Sequence, residues 1–223
     1  MNWQVVIDSL PILTKGALLT LELTAGAVAI GVVIGLFMAL ARLSKHKLVR
    51  AGAIAYIDFF RGTPLLIQIF LVFFGIPVLL QWQTMPNNYE YIAGVLAMGL
   101  NSGAYIAEIF RAGIQSIDRG QSEAARSLGM THTQALRYVI LPQAFKRVIP
   151  PLGNEFIALL KDSSLLSIIA IQELFYTGKI IVGRTYQPLP MYTAVALYYL
   201  VMTQLIAQWV AYMERRLGKN DIR

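Results

Sequence analysis

The chain has 223 residues, 57% of them hydrophobic and only 14% charged, with a formal net charge of +7. Soluble globular domains carry about 25% charged residues, so the composition excludes an ordinary soluble domain and points to a membrane protein. Cysteine is absent, which excludes disulfides and thiolate chemistry, and the positive charge falls in clusters between apolar runs, a placement that argues against nucleic acid as its partner.

Residues 1–16 are partly amphipathic, with Trp3, Val6, Ile7, Leu10 and Leu13 near helical spacing. The spacing predicts a helix lying flat at the outer interface, ending near Pro11 and anchored by Trp3. No Lys or Arg precedes Lys15, so the basic start of a secretory signal is missing. Residues 17–41 hold one ionisable side chain, Glu22, and exceed the ~20 residues needed to cross the hydrocarbon core. Within this first span, Ala27, Gly31 and Gly35 recur every four residues, a spacing that lets two helix backbones pack closely inside one subunit.

Further apolar runs cover 62–80, 91–110, 151–173 and 191–213. Pro64 suits the start of the second, where its missing N–H costs nothing. The fourth is interrupted by Lys161 and Asp162. The expected architecture is all-α: one transmembrane domain over 1–223 with five spans, and a polar loop at about 112–147 as its one sizeable aqueous piece.

Fourteen of the 19 Lys and Arg sit in three segments: Arg42, Lys45, Lys47 and Arg50; Arg111, Arg119, Arg126, Arg137, Lys146 and Arg147; and Arg215, Arg216, Lys219 and Arg223. Five alternating spans place all three on one side, and the positive-inside rule then puts the N-terminus outside and the C-terminus in the cytoplasm. Lys179 and Arg184 fall in the opposite loop and weaken the pattern without reversing it.

Inside the polar loop, Asp118 and Gln121 have capping-box spacing and predict a short helix running to Leu128 and ended by Gly129. A second helical stretch, 131–139, is expected to end at Leu141-Pro142. Small Ala124 and Ala125 would permit close docking of another surface, with Leu128 and Met130 offering apolar contact.

Glu123-Ala124-Ala125, then Gly129, then Val139-Ile140-Leu141-Pro142 resembles the "EAA" loop of ABC importer permeases, with Val139 where the family usually has isoleucine. The resemblance implies that Glu123, Ala124, Ala125, Gly129, Leu141 and Pro142 couple the chain to a separate ATPase. Three further stretches are similar to the polar amino acid permeases, the group of histidine, arginine, glutamine and glutamate importers. They are Phe60-Arg61-Gly62-Thr63-Pro64-Leu65-Leu66, the run from Ser102 to Arg111, and Leu159-Leu160-Lys161-Asp162-Ser163-Ser164-Leu165. This similarity implies the type I importer permease fold in a bacterial inner membrane. It also implies a dimer with a second permease, two ATPase subunits, an extracytoplasmic amino-acid-binding protein, and uptake by alternating access.

Ionisable groups in mid-bilayer cost ~2.5 kcal/mol or more, so they face cavities or partners. Asn101, Tyr105 and Glu108 share one face of the third span, and Glu155, Ala158 and Asp162 share one face of the fourth. Asn101, Tyr105, Glu155 and Asp162, with neighbouring Ser163, are therefore the expected amino-acid site, the two carboxylates receiving cationic groups. Glu108 reads instead as an i, i+3 partner of Arg111.

No phosphate-binding loop is present, since Gly178-Lys179 and Gly218-Lys219 are followed by Ile180 and Asn220. ATP is expected on another polypeptide, no cofactor is expected on this one, and no His pairing suggests a metal. A secondary transporter or channel is the alternative, but it would need no docking loop. No nucleophile–base constellation supports a membrane enzyme.

Overall fold

The computed structural model describes residues 2–218; Lys219 and Arg223 of the last basic cluster lie outside the described residues. Among the described residues every regular element is helical. In order they are α1 (Gln4–Arg42), α2 (Lys47–Gly62), α3 (Leu65–Leu79), α4 (Tyr89–Gln115), α5 (Arg119–Ser127), α6 (His132–Ile169), α7 (Leu174–Thr185) and α8 (Pro188–Gly218). Three helices are long and apolar enough to cross a membrane by themselves: α1, α4 and α8. Two bent pairs, α2 with α3 and α6 with α7, make up to five crossings when each pair is counted as one span.

The first helix departs from expectation. Residues 4–16 do not form a separate flat helix ending at Pro11; they continue into the span as one helix of 39 residues, with Pro11 inside it. Proline deprives only one carbonyl of its partner, and Thr14 Oγ1 donates to the nearby Leu10 carbonyl at 2.8 Å. Leu13 and Gly16 are buried in the bundle, so packing holds this first stretch upright.

Ala27, Gly31 and Gly35 serve the internal packing their spacing suggests. A methyl group on Gly31 would lie 3.1 Å from the Ser102 side chain, and one on Gly35 would lie 2.7 Å from Ile106. Both contact numbers rise together along the chain, so α1 and α4 run parallel. By the same logic α6 runs against α4, since Gly113 meets Val148 while Gly94 meets Leu166. In turn α8 runs against α6, since Gly153 meets Val210. The N-terminus and the end of α8 therefore lie at opposite ends of the bundle. The clusters around Arg42, Arg111, Lys146 and Arg215 collect at one of those ends.

The second span is broken in its middle. Pro64 disfavours helical backbone at Thr63, which is extended at φ −118°, ψ 147°, and α2 and α3 meet at 109°. Helix α2, which the composition did not mark as part of a span, thus supplies half of the crossing. Carbonyls freed at the break have no water to bond inside a membrane. Gln68, 1% exposed, replaces it: its Nε2 donates to Phe60 O at 2.9 Å, Thr63 O at 3.0 Å and Thr63 Oγ1 at 2.9 Å.

Helix α6 likewise corrects two boundaries. It does not stop at Leu141-Pro142; a π-helical turn, Leu136–Ile140, carries it into the α-helix Leu141–Asp162 and a 3₁₀ stretch, Ser163–Ile169. Pro142 falls in the first turn of that α-helix, where no N–H is required. The fourth apolar run, 151–173, is accordingly split between α6 and the connection to α7.

Candidate functional site

A cavity of about 500 Å³ opens between α2, α4 and α6 in the half of the bundle nearer the basic end. Its walls carry Arg61, Tyr105, Glu108, Ser116, Arg147 and Glu155, and its volume suits a small molecule. Sequence spacing placed Tyr105 and Glu155 in a shared site, and both line this wall. The Arg61 guanidinium lies 5.4 Å from the Tyr105 ring centre, a cation–π distance that the break at Thr63-Pro64 makes possible by ending α2 beside α4.

The charges on the wall fall into two groups. Glu108 is held by two arginines: Arg111 at 2.8 Å, the i, i+3 pair expected, and Arg42 reaching across from α1. Arg147 donates to the Ser116 carbonyl at 2.5 Å. Glu155 and Arg61, by contrast, make no ion pair among the described residues. A half-buried carboxylate and an exposed guanidinium therefore stand on one cavity without a salt bridge to each other or to a third group.

The remaining expected residues lie elsewhere. Asn101 is buried, and its Nδ2 donates to Gln68 Oε1 at 2.8 Å and to Phe60 O at 3.3 Å, bracing the broken span. Asp162 is seven residues beyond Glu155, about 10 Å outward along α6, exposed and away from this cavity. Ser163 is fully buried and donates to the Leu160 carbonyl at 2.7 Å. Arg61 and Gln68 escaped the sequence reading. A signal existed for Gln68, as a lone amide in an apolar run, whereas only the tertiary break brings Arg61 to the cavity.

A second buried polar centre was also unforeseen. Glu173, 0% exposed, caps α7: its Oε2 accepts from Phe175 N at 2.9 Å and its Oε1 from Tyr176 N at 2.7 Å. Tyr199 of α8 donates to the same Oε2 at 2.9 Å, and Thr20 of α1 accepts from Leu174 N at 3.1 Å. The carboxylate thereby joins α7 to α8, and Thr20 ties the same turn to α1.

At the basic end, α5 and the start of α6 form a helix–turn–helix. Asp118 Oδ1 accepts from Gly120 N at 2.6 Å, but the Gln121 side chain turns to Gln143 at 3.2 Å instead of closing the capping box. A complete capping box forms at Thr131 and Gln134. Gly129 ends α5 at φ +88°, a conformation that favours glycine. Glu123, Ala124, Leu128, Leu141 and Pro142 are exposed, Leu128 at 83%. Ala125 is not: at 4% exposure its methyl group faces the chain's own interior, so of the two small residues only Ala124 is presented for docking.

Residues 31–219 match the family described as "binding-protein-dependent transport system inner membrane component". The chain is 39% identical over 220 residues to the probable glutamine ABC transporter permease protein GlnM of Bacillus subtilis (strain 168), covering 99% of this chain and 100% of that one. It is 35% identical over 216 residues to the glutamine transport system permease protein GlnP of Escherichia coli (strain K12), covering 97% of each. Among solved structures, an amino acid ABC transporter crystallised with histidines matches at 44% identity and a TM-score of 0.90, over 97% of this chain and 99% of that one.

Proposed function

This chain belongs to the family of binding-protein-dependent transport system inner membrane components, and on that premise we propose that a polar amino acid passes through the cavity between α2, α4 and α6. The chain is a permease subunit of an amino-acid ABC transporter. Its family works with an ATPase and a binding protein. We infer that the working assembly pairs two permeases with two ATPase subunits that bind and hydrolyse ATP.

One observation carries the site. Glu155 and Arg61 share a cavity and neither forms a salt bridge, while Glu108 beside them is held by two arginines. A zwitterion brings the matching pair, an ammonium for Glu155 and a carboxylate for Arg61. Tyr105 supplies a ring against the hydrocarbon part of the ligand. Asp162, two turns outward on the same helix, is the earlier station for the cationic group on its way in. Asn101 acts behind the wall, through Gln68, by keeping the break of the second span in place. Ser163 stands beside Asp162 as its neighbour in this outer part of the path.

The orientation that fits this direction of transport has the N-terminus outside and the basic end in the cytoplasm, where Glu123, Ala124 and Leu128 would meet the ATPase. The site is tested by uptake into vesicles with Glu155→Gln and Asp162→Asn, alongside ATPase activity stimulated by the binding protein. Loss of uptake by tenfold or more with ATPase retained is the expected result for Glu155→Gln. Normal uptake in both variants would place the path elsewhere.

A further inference from the structure

A hydroxyl inside an apolar helix can give its proton to the carbonyl three or four residues back. Thr20 and Thr24 of α1 do so at 3.0 and 2.8 Å, and Ser163 and Ser164 of α6 at 2.7 and 2.8 Å. Ser102 of α4 does not. It is 0% exposed, and its Oγ completes no hydrogen bond among the described residues. Leaving a buried hydroxyl unsatisfied costs stability, so the packing of this state gives the residue no reason to be polar.

Its surroundings supply one. On one side Gly31 of α1 comes so close that a methyl group there would lie 3.1 Å from Ser102 Oγ. On the other, the hydroxyl stands beside the Glu155 carboxyl of α6 without completing a hydrogen bond to it. Glu155 lines the transport cavity, as does Tyr105, one turn further along α4. Ser102 is buried behind that wall and reaches the cavity only through a group that is on it.

A buried ion pair is favourable only when the remaining lone pairs of the carboxylate are satisfied. Once an ammonium takes one oxygen of Glu155, the other needs a donor from inside the protein. We propose that Ser102 is the positioning residue for Glu155: its hydroxyl donates to one carboxylate oxygen when the ligand's ammonium occupies the other, and so aims that second oxygen into the cavity. The inference rests on the reading of Glu155 as the ammonium site and adds a donor held in reserve behind it. Hydroxyl-to-carboxylate bonds are short and strong because the acceptor is charged.

The test measures binding of radiolabelled L-glutamine and L-arginine to the purified permease–ATPase complex without the binding protein, whose own affinity would otherwise mask the site. Ser102→Ala should weaken binding about tenfold, the worth of a hydrogen bond to a charged group. Its thermal midpoint should stay the same or rise, because no completed hydrogen bond is lost. Ser102→Cys, a weaker donor of similar shape, should fall between wild type and Ser102→Ala. Added to Glu155→Gln, Ser102→Ala should weaken binding less than twofold further, since the two residues act as one unit. An affinity within twofold of wild type for Ser102→Ala overturns the proposal. So does a tenfold loss that persists in the Glu155→Gln background, or one that comes with a midpoint several degrees lower, because Ser102 would then act through packing. Unchanged affinity in Glu155→Gln alone overturns the ammonium site itself, and this proposal with it, whereas failure of Ser102→Ala alone leaves that site standing.

Discussion

Glu173 shows how much one carboxylate can organise when no water competes for it. Two backbone N–H groups at the start of α7 and the Tyr199 hydroxyl all donate to its oxygens. Each donor is partly buried, and leaving a buried donor unpaired costs about 1–3 kcal/mol. Glu173→Ala orphans three at once and is expected to cost about 3 kcal/mol or more. In a thermal denaturation of the purified transporter that corresponds to a fall of roughly 6–12 °C for a chain of this size. Glu173→Gln keeps an acceptor oxygen and should lose less. Similar midpoints for the two variants would show that the hydrogen-bond pattern is not what holds α7.

At the scale of elements, the α5 turn separates two alanines that the sequence placed side by side. Ala124 is exposed while Ala125 is buried against the chain's own interior. A glutamate at Ala124 should therefore reduce co-purification of the ATPase at least tenfold while leaving thermal stability within a few degrees. The same residue at Ala125 buries a charge with no partner, so it should destabilise the segment itself. Its loss of ATPase would follow unfolding of the loop and would not report on docking. Gly129 limits the same turn in another way. Its φ of +88° has open space around it, so the cost of Gly129→Val, about 1–3 kcal/mol, is backbone strain and not collision. The broken α2–α3 element has its own arrangement: the Gln68 amide replaces hydrogen bonds that Pro64 and the bend remove, and Asn101 fixes that amide from α4.

For the whole molecule, parallel α1, α4 and α8 set against the bent α2–α3 pair and α6 give five crossings when each bent pair is one span. Cysteines introduced at Asn87 and at Arg216 should then react from opposite faces of the membrane with an impermeant maleimide, in a background that has no native cysteine. Labelling of both from one face would be incompatible with five crossings. The prediction that Asn87 reacts from outside follows from the basic clusters, and the same assay checks it in right-side-out and inverted vesicles.

The sequence by itself determined the membrane class, the order of apolar runs, the basic end, and the helix–turn–helix with its glycine stop. Each of these depends on composition or local spacing along the chain, and the physics there is local: transfer of side chains into hydrocarbon, periodicity, and the φ of one residue. It also singled out Tyr105 and Glu155, because four- and seven-residue intervals can be read on a helix face without knowing what that face meets. Only the tertiary structure decided that residues 4–16 continue the first span, since burial of Leu13 and Gly16 depends on elements far along the chain. It decided as well that Asn101 braces a break while Arg61 lines a cavity. It also moved Asp162 away from Glu155's cavity to a position two turns further out. Those outcomes depend on a 109° bend and on which helices pack side by side, and the partner of a buried polar group is chosen by packing across the bundle, where spacing along one helix carries no information.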